Sequence, residues 1–496
     1  MIGHLLLIIS FYAAFTFIIG SSHMLYGGAL FCLVLIWFCS LCGGFFMDKI
    51  GLPPLLGMLI MGMILKNWQY LPNCEDPVAG LPDTWSEAIR ASGLSVILMR
   101  SGLELDIPAV RKAGLAAVRL TCLPGILEAF AVATGGMLIF DMGFPLALTM
   151  GFILAAVSPA VVVVGMFNLQ KQGYGVTKGI PSLVVAAASF DDVVAISGFS
   201  IAASFAIKND HDEEGHSMAM TLLHGPLEII FGVILGFAGG YTLSFTKIWN
   251  KRWKRSAVVF SLGMLFMFGM LDWGYSGAGA MGGLIMGMVG SVHWRAGTPK
   301  PFAKRADAHY IHETESDLAL SWSLLFQPLL FGVIGSALDF GMVPVRTIPR
   351  SIAVCCLGLI FRLPMAYFAT YGKGLTDQER TFVALSWIPK ATVQAALCAV
   401  PLGKIKEAME GNDKYTDAER EKWESWGYDI LTTAVLSILL TAPLGLLFIQ
   451  YLGPRWLTRD IEEEEDIEEE DPLDAKELEK LSEEVRPTKN ASERSK

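Results

Sequence analysis

Charge is the scarcest property of this sequence. Of 496 residues, 17% are Asp, Glu, Lys or Arg, while 53% are hydrophobic. A soluble domain carries about a quarter charged residues. A water-soluble globular chain is therefore excluded, and the composition is that of an integral membrane protein. No sustained basic face exists outside short loops, which removes nucleic acid as a partner. The net charge of −10 misleads, because much of it comes from the C-terminal run IEEEEDIEEEDP. Cysteine is sparse and badly placed for a disulfide framework: of eight, all but Cys74 lie in apolar segments. Cys39 and Cys42 form a C-x-x-C with no second pair, and no metal or redox site is read there. HExxH, GxSxG and P-loop patterns are missing in any useful setting, so no enzyme chemistry is read. His211, His216, His309 and His312 fall in loops and read as solvated.

What is abundant is long apolar runs. A spanning helix needs roughly 20 apolar residues. Candidates lie at 4–20, 28–47, 53–66, 88–103, 113–140, 144–167, 179–207, 221–245, 256–272, 277–292, 318–340, 348–371, 377–402 and 427–452. The expectation is an all-α polytopic membrane protein with about 14 spans across residues 1–455. The first run lacks a basic n-region and is long for a signal peptide, so it reads as a span. Residues 456–496 form an acidic tail, expected to be disordered.

Numbering the connections between spans separates them by charge. The even ones carry Lys49; Arg111 and Lys112; Lys171 and Lys178; Lys247, Lys251, Arg252, Lys254 and Arg255; then Arg295, Lys300, Lys304 and Arg305. The odd ones are poor in Lys and Arg through the ninth, and two, NCEDPVAG and KNDHDEEGH, are acidic. The positive-inside rule then puts the even connections and both termini in the cytoplasm. Connection 403–426 has mixed charge and reads as a short external amphipathic segment.

Ionisable residues at membrane depth are costly, so each is a functional candidate. Five stand out: Glu128, Asp191, Asp192, Arg362 and Lys390. Glu128, in LPGILEAFAVA, reads as an ion-pair partner, and Arg362, in GLIFRLPMAYF, as the partner of some buried acid. Asp191 and Asp192 sit deep inside the run 179–207. Adjacent helical residues point about 100° apart, so one acid can line a cavity while the other meets a neighbouring helix. A buried carboxylate holds either a proton or a cation, which suits a site that trades one for the other.

Two spans are also interrupted. AAVSPAVVVVG puts Ser158-Pro159 in mid-membrane, and SWIPKATVQAAL puts Pro389-Lys390 at a similar depth. Proline removes a backbone donor and clashes with the preceding turn. The freed groups need partners, which an ion site supplies. The order of helix, break and final helix occurs twice: Glu128, Ser158-Pro159, Asp191-Asp192, and Arg362, Pro389-Lys390, ILTTAVLSILLTAPLG. The two runs start from opposite faces, which makes an inverted repeat of the kind that places a transporter's site between its halves.

GYGVTKGIPSLVVAAASFDDVVAISGF, LAAVSPAVVV, FQPLLFGVIG and WIPKATVQAAL together closely resemble animal NHA-type sodium/proton exchangers of the cation–proton antiporter superfamily. The likeness runs from about residue 30 to 455, and SFDDVVAI and WIPKATVQAA are its specific parts. The resemblance implies an antiporter fold with two crossing interrupted helices, here around Pro159 and Pro389. It implies a homodimer in the lipid bilayer, with a dimerisation part and a mobile core interleaved in sequence. It implies Asp191 and Asp192 as the carboxylates that bind cation and proton, Asp192 being the main ligand, with hydroxyl or carbonyl oxygens near Ser158 completing a Na⁺ or Li⁺ shell. By the same likeness Arg362 pairs with Glu128, and Lys390 compensates the half-helix dipoles at the second break. Charge reversal at both Glu128 and Arg362 is then expected to restore function.

The implied activity is exchange of Na⁺ or Li⁺ for H⁺ by alternating access, with no cofactor. Two acids suggest two protons per cation, and a permanently paired Asp191 would make the exchange one for one. A cation channel is disfavoured for want of a filter loop. A proton-coupled anion transporter would instead bind substrate at Lys390 and Arg362. The plasma membrane is the expected host, with endosomal and mitochondrial membranes as alternatives.

Overall fold

The computed structural model describes residues 25–72, 74–105, 114–207, 218–299, 309–409 and 416–459. The candidate span at 4–20 and the acidic tail from residue 460 lie outside the described residues, as do the acidic connection 208–216 and the basic residues Arg111, Lys112, Lys300, Lys304 and Arg305.

Long apolar runs with few breakers fold as helices, because in lipid only a helix or a closed barrel satisfies every backbone group internally. In chain order these are α1 (Ala29–Ile50), α2 (Pro54–Asn67), α3 (Asp83–Glu104), α4 (Leu115–Phe140), α5 (Phe144–Ala155), α6 (Pro159–Lys171), α7 (Ile180–Ala206), α8 (Met218–Leu243) and α9 (Arg252–Asp272). Then follow α10 (Ser276–Ala296), α11 (His309–Ser321), α12 (Gln327–Ala337), α13 (Thr347–Ala369), α14 (Asp377–Leu385), α15 (Thr392–Leu397), α16 (Val400–Met409) and α17 (Asp417–Trp456). Among the described residues no strand occurs beyond an isolated bridge between Tyr174 and Arg459.

Nine helical segments among the described residues are long and apolar enough to cross a bilayer, against the fourteen spans expected. The shortfall includes α2, with 14 residues, and the divided helix α14–α15, whose pieces have 9 and 6. Outward faces carry large apolar side chains such as Phe45, Phe46, Leu138, Phe237, Leu265 and Phe368. In water such faces would drive association, whereas in a bilayer they meet lipid. The chain is a multi-pass integral membrane protein.

The helices pack in two sets that alternate along the chain. One joins α1, α2 and α3 with α8 to α12, through the pairs α8–α10, α2–α12, α3–α10 and α9–α10. The other joins α4 to α7 with α13 to α17, through α4–α5, α4–α13, α5–α7, α6–α17 and α13–α17. Contacts of α7 with α8 and α10, and of α15 with α3, bridge the sets. In the second set, α5 lies unusually close to α4. A methyl group on Gly151 would sit 2.2 Å from Ala129 O, so only glycine allows that approach.

Two elements differ in detail from the reading of the sequence. The span expected at 318–340 begins at His309, so His309 and His312 lie on a helix and not in a loop. It contains a π-helical turn, Trp322–Phe326, just before Pro328. Proline at 328 cannot donate to Leu324 O, and Trp37 Nε1 donates to that carbonyl instead, at 2.7 Å. Connection 403–426 holds most of helix α16 and nearly three turns of α17. Lys422 lies 3.2 Å from Asp141, and Trp426 Nε1 donates to Phe140 O at 3.0 Å, which seats this segment beside the α4–α5 connection of the odd set.

Candidate functional site at the crossing of two broken helices

The centre of the second set is built by two interruptions. Helix α5 stops at Ala155, residues 156–158 run extended, and α6 starts at Pro159. Helix α14 stops at Leu385, and α15 starts only at Thr392, after Pro389. The two breaks touch: Ser158 N donates to Pro389 O at 2.9 Å.

A broken helix leaves carbonyls without their usual donor four residues on, and burial makes each one costly. Every such carbonyl on α5 has a replacement. Ile153 O would have accepted from Val157, and Gln394 Nε2 donates to it at 3.0 Å. Leu154 O would have accepted from Ser158, and Lys390 Nζ takes its place. Ala155 O faces the nitrogen of Pro159, which has no hydrogen, and Arg362 Nη1 donates to it. Ala156 O accepts from Gln394 Nε2 at 2.8 Å. The freed donors are also satisfied: Val157 N–H points at Asp191 Oδ2, at 2.7 Å, and Ser158 N–H at Pro389 O. The negative end of α5 thus meets two cationic side chains, the favourable polarity for a helix C-terminus.

Five ionisable side chains gather here, each no more than 1% exposed: Glu128 on α4, Asp191 and Asp192 on α7, Arg362 on α13 and Lys390 in the second break. Arg362 Nη1 pairs with Glu128 Oε2. Arg362 Nε donates to Trp387 O at 2.7 Å, the carbonyl end of α14, and its Nη2 lies 3.6 Å from Asp191 Oδ2. Lys390 Nζ lies 2.8 Å from Glu128 Oε1. Although it stands in the second break, its ammonium serves the α5 end of the first. Its backbone N–H donates to Thr441 Oγ1 on α17 at 3.0 Å.

The two aspartates part company. Asp191 is held by Val157 N–H and by Arg362, and it faces Gly125, whose missing side chain leaves room for the carboxylate. Asp192 is fully buried, and among the described residues neither of its oxygens has a hydrogen-bond partner. Ser158 Oγ, also buried, likewise has none, so it is not bonded to Asp192. Pro389 packs its ring against Gly445 of α17, where a side chain would collide with it. Gln394 and Thr441, which the sequence reading passed over, complete the polar shell. The sole signal for Gln394 was an amide inside the apolar stretch that follows Pro389.

A cavity of about 770 Å³ leads from one face to Pro159 and Ala160 at the start of α6. Its mouth is lined by Asp48, Glu104, Arg295 and Glu315. These mark the ends of α1, α3 and α10 and the middle of α11, all next to even connections.

A transmembrane sodium/hydrogen exchanger family model matches residues 33–452. The chain belongs to the sodium/hydrogen exchanger family. Members of this family are transporters and not enzymes. Among curated relatives, sodium/hydrogen exchanger 9B2 of Xenopus tropicalis is 36% identical over 87% of this chain and 76% of its own length. Human sodium/hydrogen exchanger 9B1 is 32% identical over 90% of this chain and 81% of its own. The fold is similar to that of the sodium proton antiporter MjNhaP1 from Methanocaldococcus jannaschii, with a TM-score of 0.64 and 17% identity over 86% of this chain and 98% of that one. The inverted-repeat antiporter fold therefore accounts for the two broken helices of this exchanger-family chain and for their contact at its centre.

Proposed function

We propose that this chain exchanges Na⁺ or Li⁺ for H⁺ across a membrane by alternating access, and that Asp192 is the group the two cations take in turn. The observation that carries the reading is the charge pattern. Glu128 and Asp191 face Arg362 and Lys390, two acids against two bases, and all four make contacts within the cluster. Asp192 is the fifth charge and has no counter-charge in contact. An unpaired carboxylate at zero exposure costs several kcal/mol. A proton removes that cost by neutralising the group, and an alkali cation offsets it by pairing. Both cannot occupy the same oxygens, so binding one releases the other.

The cavity reaching Pro159 supports access from the face that the charge rule assigns to the cytoplasm. Ser158 Oγ, buried and without a partner, is the hydroxyl proposed to join Asp192 in holding a desolvated cation, and Asp191 lends charge from its tethered position. The names of the relatives, sodium/hydrogen exchangers 9B2 and 9B1, agree with this chemistry. Assembly as a homodimer belongs to the same reading, and cross-linking in the membrane tests it.

The experiment is proton movement in proteoliposomes of the purified chain. Added Na⁺ or Li⁺ should drive proton release, and choline should not. Asp192→Asn should abolish the signal in a protein that purifies and unfolds like the parent. Unchanged exchange by that variant would rule out Asp192 as the exchanging group.

A further inference from the structure

Three buried acids take no part in the cluster at the crossing: Glu379, which pairs with Lys178, Asp429, which accepts from Thr347 Oγ1, and Glu228. Glu228, on α8, is 4% exposed. Among the described residues no Lys, Arg or His lies within ion-pair distance of it. The field of Lys404 on α16 reaches it without contact. Its neighbours are the Ser200 hydroxyl of α7 and Gly277 N–H of α10, the latter at a long 3.4 Å. A methyl group on Gly277 would fall 2.5 Å from Glu228 Oε2 and 2.6 Å from Ser200 Oγ, so glycine there makes the space the two groups fill.

The position of this acid gives it meaning. Ser200 follows Asp192 by eight residues, about 12 Å along α7. Ser197 lies between them and lines a small void with Leu98, Val193, Ala280, Met281 and Leu284, at the junction of α7 with α3 and α10. Helix α7 belongs to the set that carries the broken helices, and α8 and α10 to the other. The α7 C-terminus, the α8 N-terminus and the α9–α10 turn all border odd connections, the face opposite the large cavity. Glu228 therefore stands on the closed side of the site, where the two sets meet. An isolated carboxylate in a span costs stability and serves no ion pair, which marks it as functional.

We propose that Glu228 is an outer relay carboxylate. It receives the cation between Asp192 and the outer face when α7 parts from α10, with the Ser197 and Ser200 hydroxyls lining the path. This rests on the exchange reading above and adds a second site to it.

The test uses the full chain carrying Ser197→Cys in right-side-out vesicles, read against the chain without the added cysteine. Membrane-impermeant methanethiosulfonates, one cationic and one anionic, are applied from outside. A relay carboxylate concentrates cations in the cleft. The cationic reagent should react about tenfold faster than the anionic one, and Glu228→Gln should abolish that preference. Glutamine keeps the size and hydrogen bonding of the side chain, so a structural role would leave the ratio unchanged. Equal rates for the two reagents, a preference that survives Glu228→Gln, or no reaction from outside would each overturn the relay. If Ser197→Cys does not fold, Val193→Cys probes the same face. Exchange by Asp192→Asn judges the exchange reading separately.

Discussion

Lys390 Nζ donates to Leu154 O, so a side chain in one broken helix closes the carbonyl end of the other. The same ammonium contacts Glu128 on α4. The crossing is thus a cross-braced joint: Lys390 and Gln394 from the second break, and Arg362 from α13, serve the carbonyls of Ile153 to Ala156 at the first break.

Lys390→Met should therefore act on stability before it acts on transport. It leaves Leu154 O without a donor and Glu128 with one fewer cation. Breaking a buried charge pair costs about 3–5 kcal/mol. Gln394→Leu strands two neutral carbonyls and should cost about 1–3 kcal/mol for each. Lys422→Ala, which removes an exposed ion pair with Asp141, should cost under about 1 kcal/mol. Denaturant unfolding in detergent micelles ranks the three, and a neutral Lys390→Met would refute the bracing role.

Reversing Glu128 and Arg362 together should fail to rescue function, against the expectation from simple pairing. Arg362 contacts Glu128 and also donates to Ala155 O and Trp387 O. A carboxylate at 362 is an acceptor facing two acceptors, whatever stands at 128. Arg362→Lys should keep part of the activity, since a lysine retains the charge and some of the donors. Exchange assays on the single, double and conservative variants decide it, and full recovery in the double reversal would show that pairing alone is what the two residues supply.

The pattern of what the sequence revealed follows from how local each signal is. Pro159 and Pro389 announced their breaks because proline's missing donor is a property of one residue. Asp191, Asp192 and the other charges announced themselves by cost. The resemblance singled out Asp192, but the residues themselves did not show which aspartate is tied, since that depends on where Val157 N–H and Arg362 arrive from other segments. Gln394 and Thr441 were missed because an amide or hydroxyl in a span is cheap enough to be unremarkable alone. Glu228 differs in kind: its charge is visible in HGPLEIIFG, but it lies apart from both breaks. The π turn before Pro328 depends on Trp37, nearly three hundred residues away, to satisfy the freed carbonyl.

Gly151→Ala should disturb the site without touching it. The added methyl would press on the backbone oxygen of Ala129, which no side-chain rotation can relieve. Helix α5 must then shift away from α4, carrying Ile153 to Ala156 off their donors. Overpacking of this kind costs about 1–3 kcal/mol. Slower exchange with lowered stability is the expected pair of results, measured on the same preparation. A variant with parental stability would show that α4 and α5 can separate at no cost.

The charge pattern also fixes the stoichiometry to look for. Two acids in the sequence suggest two protons per cation, but Asp191 is held by Val157 N–H and Arg362 and balanced within the cluster. On the proposed exchange at Asp192, one proton should leave for each cation that binds, and the cycle should carry no net charge. A cycle moving one net charge would gain or lose about 2.3 kcal/mol per 100 mV, which shifts the Na⁺ gradient at zero flux roughly fifty-fold. A neutral cycle would not shift it. Vesicles with the potential clamped by K⁺ and valinomycin separate the two by the Na⁺ gradient at which proton flux vanishes. A balance point that moves with voltage would mean that a second group, Asp191 or Lys390, releases a proton during the cycle, and the tether on Asp191 would then have to open at each turnover.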